Sequence, residues 1–301
     1  MVSEKPWRSE AILRLILSVF VSYVLGTLGV SAYRFASSGA QEKLWTFVAL
    51  AVGAAIFCAA ALSVLRKPWE LERFTRRFST LLVCLYLGLT LSAFAQRAAG
   101  SGPMSNPTWR TVIAAISFQG IAIFFIWRFL REHHTSWADA FGFQRGWKMS
   151  VLYGVLLAVS FLPFGWLLQT GSVSLLEKVN FHSEVQPAVQ ALKNTVAWFD
   201  RAAIALAALV LAPVAEEMLF RGIFYPAIKQ AGFPKLAWWG TALLFAAVHA
   251  HLATLAPLFL FALLLTWIYE QTDNLLAPIA AHAMFNALNF GVYYLTEGRF
   301  S

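Results

Sequence analysis

The sequence predicts an all-α membrane protein, a polytopic helical bundle of about eight or nine transmembrane helices with a recessed polar site. Of its 301 residues, 59% are hydrophobic and only 13% are charged, about half the charged fraction of a typical soluble domain. Apolar runs recur along the chain, and a run of about 20 residues is enough to cross a hydrocarbon core of about 30 Å. Basic residues concentrate between the runs.

The predicted spans divide into an N-terminal and a C-terminal group. The first group lies near residues 12–33, 44–65, 78–98, 109–127 and 149–168. The second group lies near residues 202–228, 236–250, 255–269 and 275–295, and its middle two spans are short enough to be tilted, interrupted or merged. The first span is too long for the apolar part of a signal peptide, so it is expected to be retained.

The distribution of positive charge predicts the orientation. Residues 66–77 form the densest basic cluster of the chain, and positively charged loops stay in the cytoplasm. The N-terminus is therefore expected on the cytoplasmic side of a multi-pass membrane protein. The membrane is expected to be the cytoplasmic membrane of a bacterium. Because the formal charge of +8 comes mostly from short loops between apolar runs, no nucleic-acid partner is expected. Cys58 and Cys84 follow no metal-ligand spacing and are interpreted as buried apolar residues.

Two connections are long enough to form structure of their own. Residues 136–143 are expected to form either a short amphipathic helix on the inner membrane surface, with Trp137 and Phe141 in the interface, or an ordinary turn. Residues 173–199 are weakly amphipathic and are expected along the outer surface, as a lid or as a simple covering helix.

A charge cluster interrupts the apolar run that begins near Ala202, at Glu216, Glu217 and Arg221. An ionisable side chain in the bilayer costs at least about 2.5 to 3.5 kcal/mol, so its presence indicates a functional site facing the protein interior. Glu217 and Arg221 are spaced i, i+4 with the glutamate first, which favours an ion pair. Adjacent side chains diverge by about 100° on a helix, so Glu216 is expected to face a different neighbour from Glu217.

Three further polar residues occur in later apolar segments: His249, His282 and Asn286. Phe245 and His249 share one helix face, as do His282 and Asn286, because each pair is spaced i, i+4. A single histidine on a membrane helix more often binds a neighbouring helix than catalyses. Several such residues in one third of the chain instead indicate a shared site.

These residue types suit hydrolysis by an activated water. A glutamate in an apolar site acts as a general base when a histidine shares the proton, which assigns this role to Glu216 and His249. Imidazole N–H and amide NH₂ groups stabilise an oxyanion, which assigns that role to His282 and Asn286. The combination predicts amide hydrolysis, with Glu217 and Arg221 as a supporting ion pair and no required cofactor.

The ordered motifs resemble those of the CAAX protease and bacteriocin-processing family, which includes the type II CAAX prenyl endopeptidases. The motifs are Glu216-Glu217-x-x-x-Arg221, Phe245-x-x-x-His249 and His282-x-x-x-Asn286. The resemblance covers roughly residues 202–295 and implies a glutamic-type intramembrane protease that acts on a peptide or membrane-protein substrate within the lipid bilayer. It assigns the same four catalytic residues, and it leaves the substrate sequence and any prenyl requirement open.

Two alternatives remain open from the sequence. A zinc-dependent membrane peptidase would use Glu216, His249 and His282 as ligands and water as the fourth. A non-enzymatic binder or transporter would use the same polar cavity, because buried carboxylates and histidines also relay protons. The chain is expected to contain N-terminal transmembrane helices of unassigned role at residues 1–148 and a protease-like helical core at residues 149–301, joined as one continuous domain.

Overall fold

A computed structural model of the chain describes residues 5–8, 11–20, 119–179, 197–249 and 251–295. The predicted spans 44–65 and 78–98, most of the first and fourth spans, and most of the connection 173–199 lie outside these residues. The chain separates into two compact units. The first contains Met1–Ile12, Ile126–Lys193 and Ile204–Ser301, and the second contains Leu13–Phe125 and Asn194–Ala203. The predicted division at residue 148 stays a prediction.

The described residues are helical and include no strand, which confirms the all-α fold class. We number the helices α1 to α8 in chain order. The first four are α1 (Ala11–Phe20), α2 (Ile121–Glu132), α3 (Trp137–Phe141) and α4 (Trp147–Lys178). The last four are α5 (Trp198–Gln230), α6 (Pro234–Val248), α7 (Leu252–Thr272) and α8 (Leu276–Leu295).

Helices α4, α5 and α7 are long and apolar enough to cross a membrane. Helix α4 has 32 residues, where the hydropathy of residues 149–168 predicts about 20. It continues without interruption to residue 178 and so includes residues 173–178, the first part of the predicted outer connection. Helix α6 has only 15 residues, in agreement with the short run at residues 236–250.

Helix α4 packs through a narrow stripe of mostly small residues. The stripe repeats every three or four positions, which places its members on one helix face; it consists of Ser150, Gly154, Ala158, Phe161 and Gly165. Small residues let membrane helices approach closely. Around the stripe, long apolar side chains such as Leu152, Leu156 and Phe164 are exposed, as expected for a surface that faces lipid.

An aromatic core joins α4, α7 and α8. Phe161 stacks on Phe261 with ring centroids 5.2 Å apart, and Phe261 stacks on Phe285 at 4.4 Å. Leu265 and Ala281 complete the buried cluster. This core fixes the register of α8, which carries His282 and Asn286, against α4 and α7.

The short helix α3 forms where residues 136–143 predict either an amphipathic helix or a turn. Ser136 caps it by accepting a hydrogen bond from the Asp139 N–H at 3.2 Å, and Gly142 ends it with a left-handed φ of 72°. Phe141 is fully buried instead of lying in the membrane interface. A Cβ atom at Gly222 would come within 2.5 Å of the Phe141 ring, so the absence of a side chain there makes room for it.

The turn between α7 and α8 is tied to the segment that follows α3. The Asn274 side chain donates to the Arg145 carbonyl at 2.7 Å and accepts from the Leu276 N–H at 2.9 Å. The Leu275 N–H donates to the Phe141 carbonyl at 2.9 Å. These bonds hold the start of α8, and with it His282, at a fixed height in the first unit.

The packing of α4 against α8 predicts that Gly154→Ala destabilises the protein. A Cβ atom at Gly154 would lie 2.3 Å from the Ala277 carbonyl oxygen, so the two helices must separate. We expect the free energy of unfolding in detergent micelles to fall by about 1 to 3 kcal/mol.

Gly171→Ala is the matched control. Gly171 lies on the same helix as Gly154, and a Cβ atom at Gly171 would meet no neighbour within 4 Å. Its free energy of unfolding should stay the same or rise by up to about 1 kcal/mol, since alanine favours the helix. Equal stability of the two variants would contradict the close approach of α4 and α8.

Candidate active site

Helix α5 carries both glutamates in a short α-helical segment between two π-helical segments. The π segments are Ala207–Leu211 and Met218–Phe224, and Ala212–Glu217 lies between them. Single π turns inside an α-helix are frequent at functional sites because they change which backbone groups are paired. The charged motif thus lies in the least regular part of α5.

Glu217 and Arg221 form a fully buried ion pair. The Arg221 Nη1 atom donates to Glu217 Oε1 at 3.0 Å and lies 2.9 Å from Oε2. The Nη2 atom of Arg221 donates to the carbonyl of Ala262 on α7 at 2.9 Å. Since the exposed fractions are 0% for the Glu217 side chain and 1% for that of Arg221, solvent does not screen this pair.

His282 completes this network from α8. Its Nδ1 atom lies 2.9 Å from Glu217 Oε1, and the side chain is 5% exposed. A carboxylate accepts and does not donate, so His282 Nδ1 carries the proton in this bond. The sequence places His282 with Asn286 by spacing; the structure shows that His282 binds the carboxylate of the ion pair.

Phe245 packs among these polar groups. Its ring centroid lies 4.5 Å from the Arg221 Cζ atom, a distance suited to a cation–π interaction. The ring also lies 5.0 Å from that of His249 and 5.6 Å from that of His282. In the sequence, Phe245 marks the helix face of His249 and belongs to the motif Phe245-x-x-x-His249, but its contact with Arg221 is not predicted.

Glu216 faces His249, whereas Glu217 faces Arg221 and His282. Glu216 Oε2 lies 3.9 Å from His249 Nε2. This oxygen is buried and has no hydrogen-bond partner among the described residues. The His249 Nδ1 atom is 2.7 Å from the Phe245 carbonyl, to which it must donate. The Nε2 atom of a neutral ring is then an acceptor directed toward Glu216.

Asn286 binds the backbone of α5. Its Nδ2 atom donates to the Ala208 carbonyl at 2.9 Å, within the first π segment. An amide nitrogen carries two hydrogens, so one remains for a further acceptor. In the sequence, Pro213 indicates either a freed backbone carbonyl near the site or a simple kink, and it does not identify Ala208 as the acceptor.

The structure arranges the predicted residues in three groups: Glu216 with His249, Glu217 with Arg221 and His282, and Asn286 with the carbonyl of Ala208. Within the described ranges, no group of three or more His, Cys, Asp or Glu side chains is placed to hold a metal ion. The zinc alternative is therefore to be tested by measuring the metal content of the purified protein.

Residues 197–288 match a family model described as type II CAAX prenyl endopeptidase Rce1-like. The chain is also similar to the UPF0177 protein YxdF of Lactococcus lactis subsp. lactis, with 28% identity over 78 residues. The aligned residues are 26% of this chain, and they span less than half of the curated relative, 42% of its length. No solved structure matches the chain. The family resemblance is thus confirmed for residues 197–288.

The buried ion pair predicts that Arg221→Met strongly destabilises the protein, because Glu217 keeps a buried charge without its guanidinium. We expect the free energy of unfolding to fall by about 3 to 5 kcal/mol. The double variant Glu217→Gln, Arg221→Met removes both charges and should recover part of this loss.

Lys235→Met serves as the control, because it removes an exposed positive charge after the end of α5. Its free energy of unfolding should change by no more than about 0.5 kcal/mol. If Arg221→Met were no more destabilising than Lys235→Met, the ion pair would not be the anchor of the site.

Proposed function

We propose that this integral membrane protein, whose residues 197–288 are an Rce1-like domain, is an intramembrane endopeptidase. It hydrolyses a peptide bond in a peptide or a membrane-associated protein by means of an activated water. The observation that supports this reaction best concerns Glu216 Oε2, a buried oxygen without a hydrogen-bond partner among the described residues. This oxygen lies 3.9 Å from the acceptor nitrogen of His249.

The distance of 3.9 Å is too long for a direct hydrogen bond and suits two acceptors that bind the same water molecule. Such a water donates one hydrogen to Glu216 Oε2 and the other to His249 Nε2. Its lone pairs are then free to attack a carbonyl carbon. Because the His249 side chain is 30% exposed and that of Glu216 is 13% exposed, the substrate approaches from the His249 side.

The reaction proceeds by general base catalysis. Glu216 takes a proton as the water oxygen bonds to the substrate carbonyl carbon, and the carbonyl oxygen becomes an oxyanion. Collapse of the tetrahedral intermediate breaks the carbon–nitrogen bond, and the proton held by Glu216 passes to the leaving amine. His249 orients the water, because its Nδ1–H is held by the Phe245 carbonyl.

The oxyanion is stabilised by donors on α8. Asn286 offers its second amide hydrogen, while the first is bound to Ala208. His282, whose Nδ1 is bound to Glu217, donates through Nε2 when its ring carries both protons. Glu217 is paired with Arg221 and is therefore not available as a base. The role of the base stays with Glu216.

The proposed orientation places the N-terminus in the cytoplasm of a bacterium, with multiple passes through its cytoplasmic membrane. In the first unit, Arg145 pairs with Asp273 in the α7–α8 turn, and Lys229 pairs with Glu270 near the end of α7. The start of α4, the end of α5 and the α7–α8 turn therefore lie at one end of this unit. Lys148 in the first turn of α4 and Lys235 just after α5 add positive charge to these two neutral pairs, which supports a cytoplasmic location.

Glu216→Gln is expected to abolish peptide hydrolysis and to leave the free energy of unfolding within about 1 kcal/mol of wild type, since Glu216 lies outside the ion pair. His249→Ala should lose about 10²- to 10⁴-fold in kcat/KM. The substrate is found by comparing protein termini in membranes from cells that express the wild-type or Glu216→Gln chain, and the identified peptide is then assayed with purified protein.

Unchanged cleavage of this peptide by both variants would exclude the proposed hydrolytic mechanism. Activity is also measured after chelation, together with the metal content of the purified protein. We expect full activity without stoichiometric zinc. Loss of activity that returns with zinc would support the metallopeptidase instead, and pH-dependent solute flux without cleavage would indicate a transporter.

A further inference from the structure

Each of the two π segments of α5 is followed by a proline at the second residue after its end. The segment Ala207–Leu211 precedes Pro213, and the segment Met218–Phe224 precedes Pro226. A π turn shifts backbone bonding from i→i+4 to i→i+5, and proline has no N–H. The combination leaves a carbonyl without a donor inside the helix.

The first proline deprives the Ala208 carbonyl of its helical partner. The α-helical donor for this carbonyl is the N–H of Ala212, which donates to Ala207 instead. The π-helical donor is residue 213, a proline without an N–H. An unpaired carbonyl in a low-dielectric region is costly, so it requires a donor from elsewhere. That donor is the Nδ2 atom of Asn286.

The second proline has the same effect farther along α5. The α-helical donor for the Arg221 carbonyl is the N–H of Tyr225, which donates to Phe220 instead, and the π-helical donor is residue 226, again a proline. The next carbonyl, that of Gly222, has residue 226 as its α-helical donor and accepts from the Trp7 indole N–H at 3.3 Å. Of these side-chain contacts, the one at the first π segment involves a residue of the candidate site.

We propose that Pro213 is a positioning residue for Asn286. By removing the competing N–H, it reserves the Ala208 carbonyl for one amide hydrogen of Asn286 and so fixes the rotation of the amide. The other hydrogen then points toward the oxyanion of the reaction. This inference rests on the proposed peptidase function, because the oxyanion exists only if the protein hydrolyses an acyl bond.

Pro213→Ala is expected to change activity and stability in opposite directions. The new N–H at residue 213 completes the helix, so the thermal midpoint should stay the same or rise. The same N–H competes with Asn286 for Ala208, so kcat should fall by about 10- to 100-fold, while KM changes less than about threefold. Pro213→Val supplies the same N–H with a larger side chain and should give the same pattern.

A double-mutant cycle with Asn286→Ala tests whether Pro213 acts through Asn286. Pro213→Ala should lower kcat in the wild-type background and have little further effect in the Asn286→Ala background. Pro226→Ala is the control, because it removes the equivalent proline beside the Trp7 contact. Its effect should be the same with or without Asn286. Full additivity of Pro213→Ala with Asn286→Ala, or an unchanged kcat, would overturn the proposal.

The same cycle in thermal unfolding does not depend on activity. Asn286→Ala should lower the midpoint of the wild-type chain more than it lowers that of Pro213→Ala, because the Ala208 bond is already displaced in the latter. Equal losses would overturn the positioning role even in an active enzyme. Absence of peptidase activity in the wild-type protein would instead overturn the proposed function, and the unfolding cycle would still decide whether Pro213 positions Asn286.

Discussion

The buried contact among Glu217, Arg221 and His282 is the interaction on which the rest of the site depends. A carboxylate and a guanidinium without solvent are tolerated only when each is paired and hydrogen-bonded. The pairing here requires α5 for both charges, α7 for the Ala262 carbonyl and α8 for His282. Helix α6 adds the Phe245 ring against the guanidinium. The buried charges of Glu217 and Arg221 must be neutralised and hydrogen-bonded, and this requirement holds the four helices in one arrangement.

This arrangement separates the two adjacent glutamates by environment. Glu217 is fully buried between Arg221 and His282, whereas Glu216 is partly exposed and is directed to His249. Two neighbouring carboxylates can therefore serve different purposes, one holding the bundle together and one performing the proposed chemistry. The π segments on each side of the pair contain the Ala208 and Gly222 carbonyls, which accept hydrogen bonds from the side chains of Asn286 and Trp7.

The remaining helices supply a rigid frame for these polar groups. Helix α4 reaches α8 at Gly154 and Gly165. The stacked rings of Phe161, Phe261 and Phe285 fill the space between α4, α7 and α8. Hydrogen bonds of Asn274 hold the start of α8. Because close packing in an apolar solvent leaves little freedom for sliding, His282 and Asn286 are held at fixed depths along α5.

The sequence by itself determined the helical class and the candidate residues, because both depend on local properties. Apolar composition predicts membrane helices, and i, i+4 spacing is a fixed consequence of helix geometry, so the proximity of Glu217 to Arg221 follows from two positions in one helix. Only the tertiary structure decided which groups meet across helices. His282 could bind Asn286 or a carboxylate, Asn286 could bind any acceptor, and Phe141 could face lipid or protein. These choices depend on how the helices pack and on which backbone carbonyls the π turns leave free. Residue types mark such a carbonyl only indirectly, through a proline such as Pro213, and do not indicate which side chain binds it.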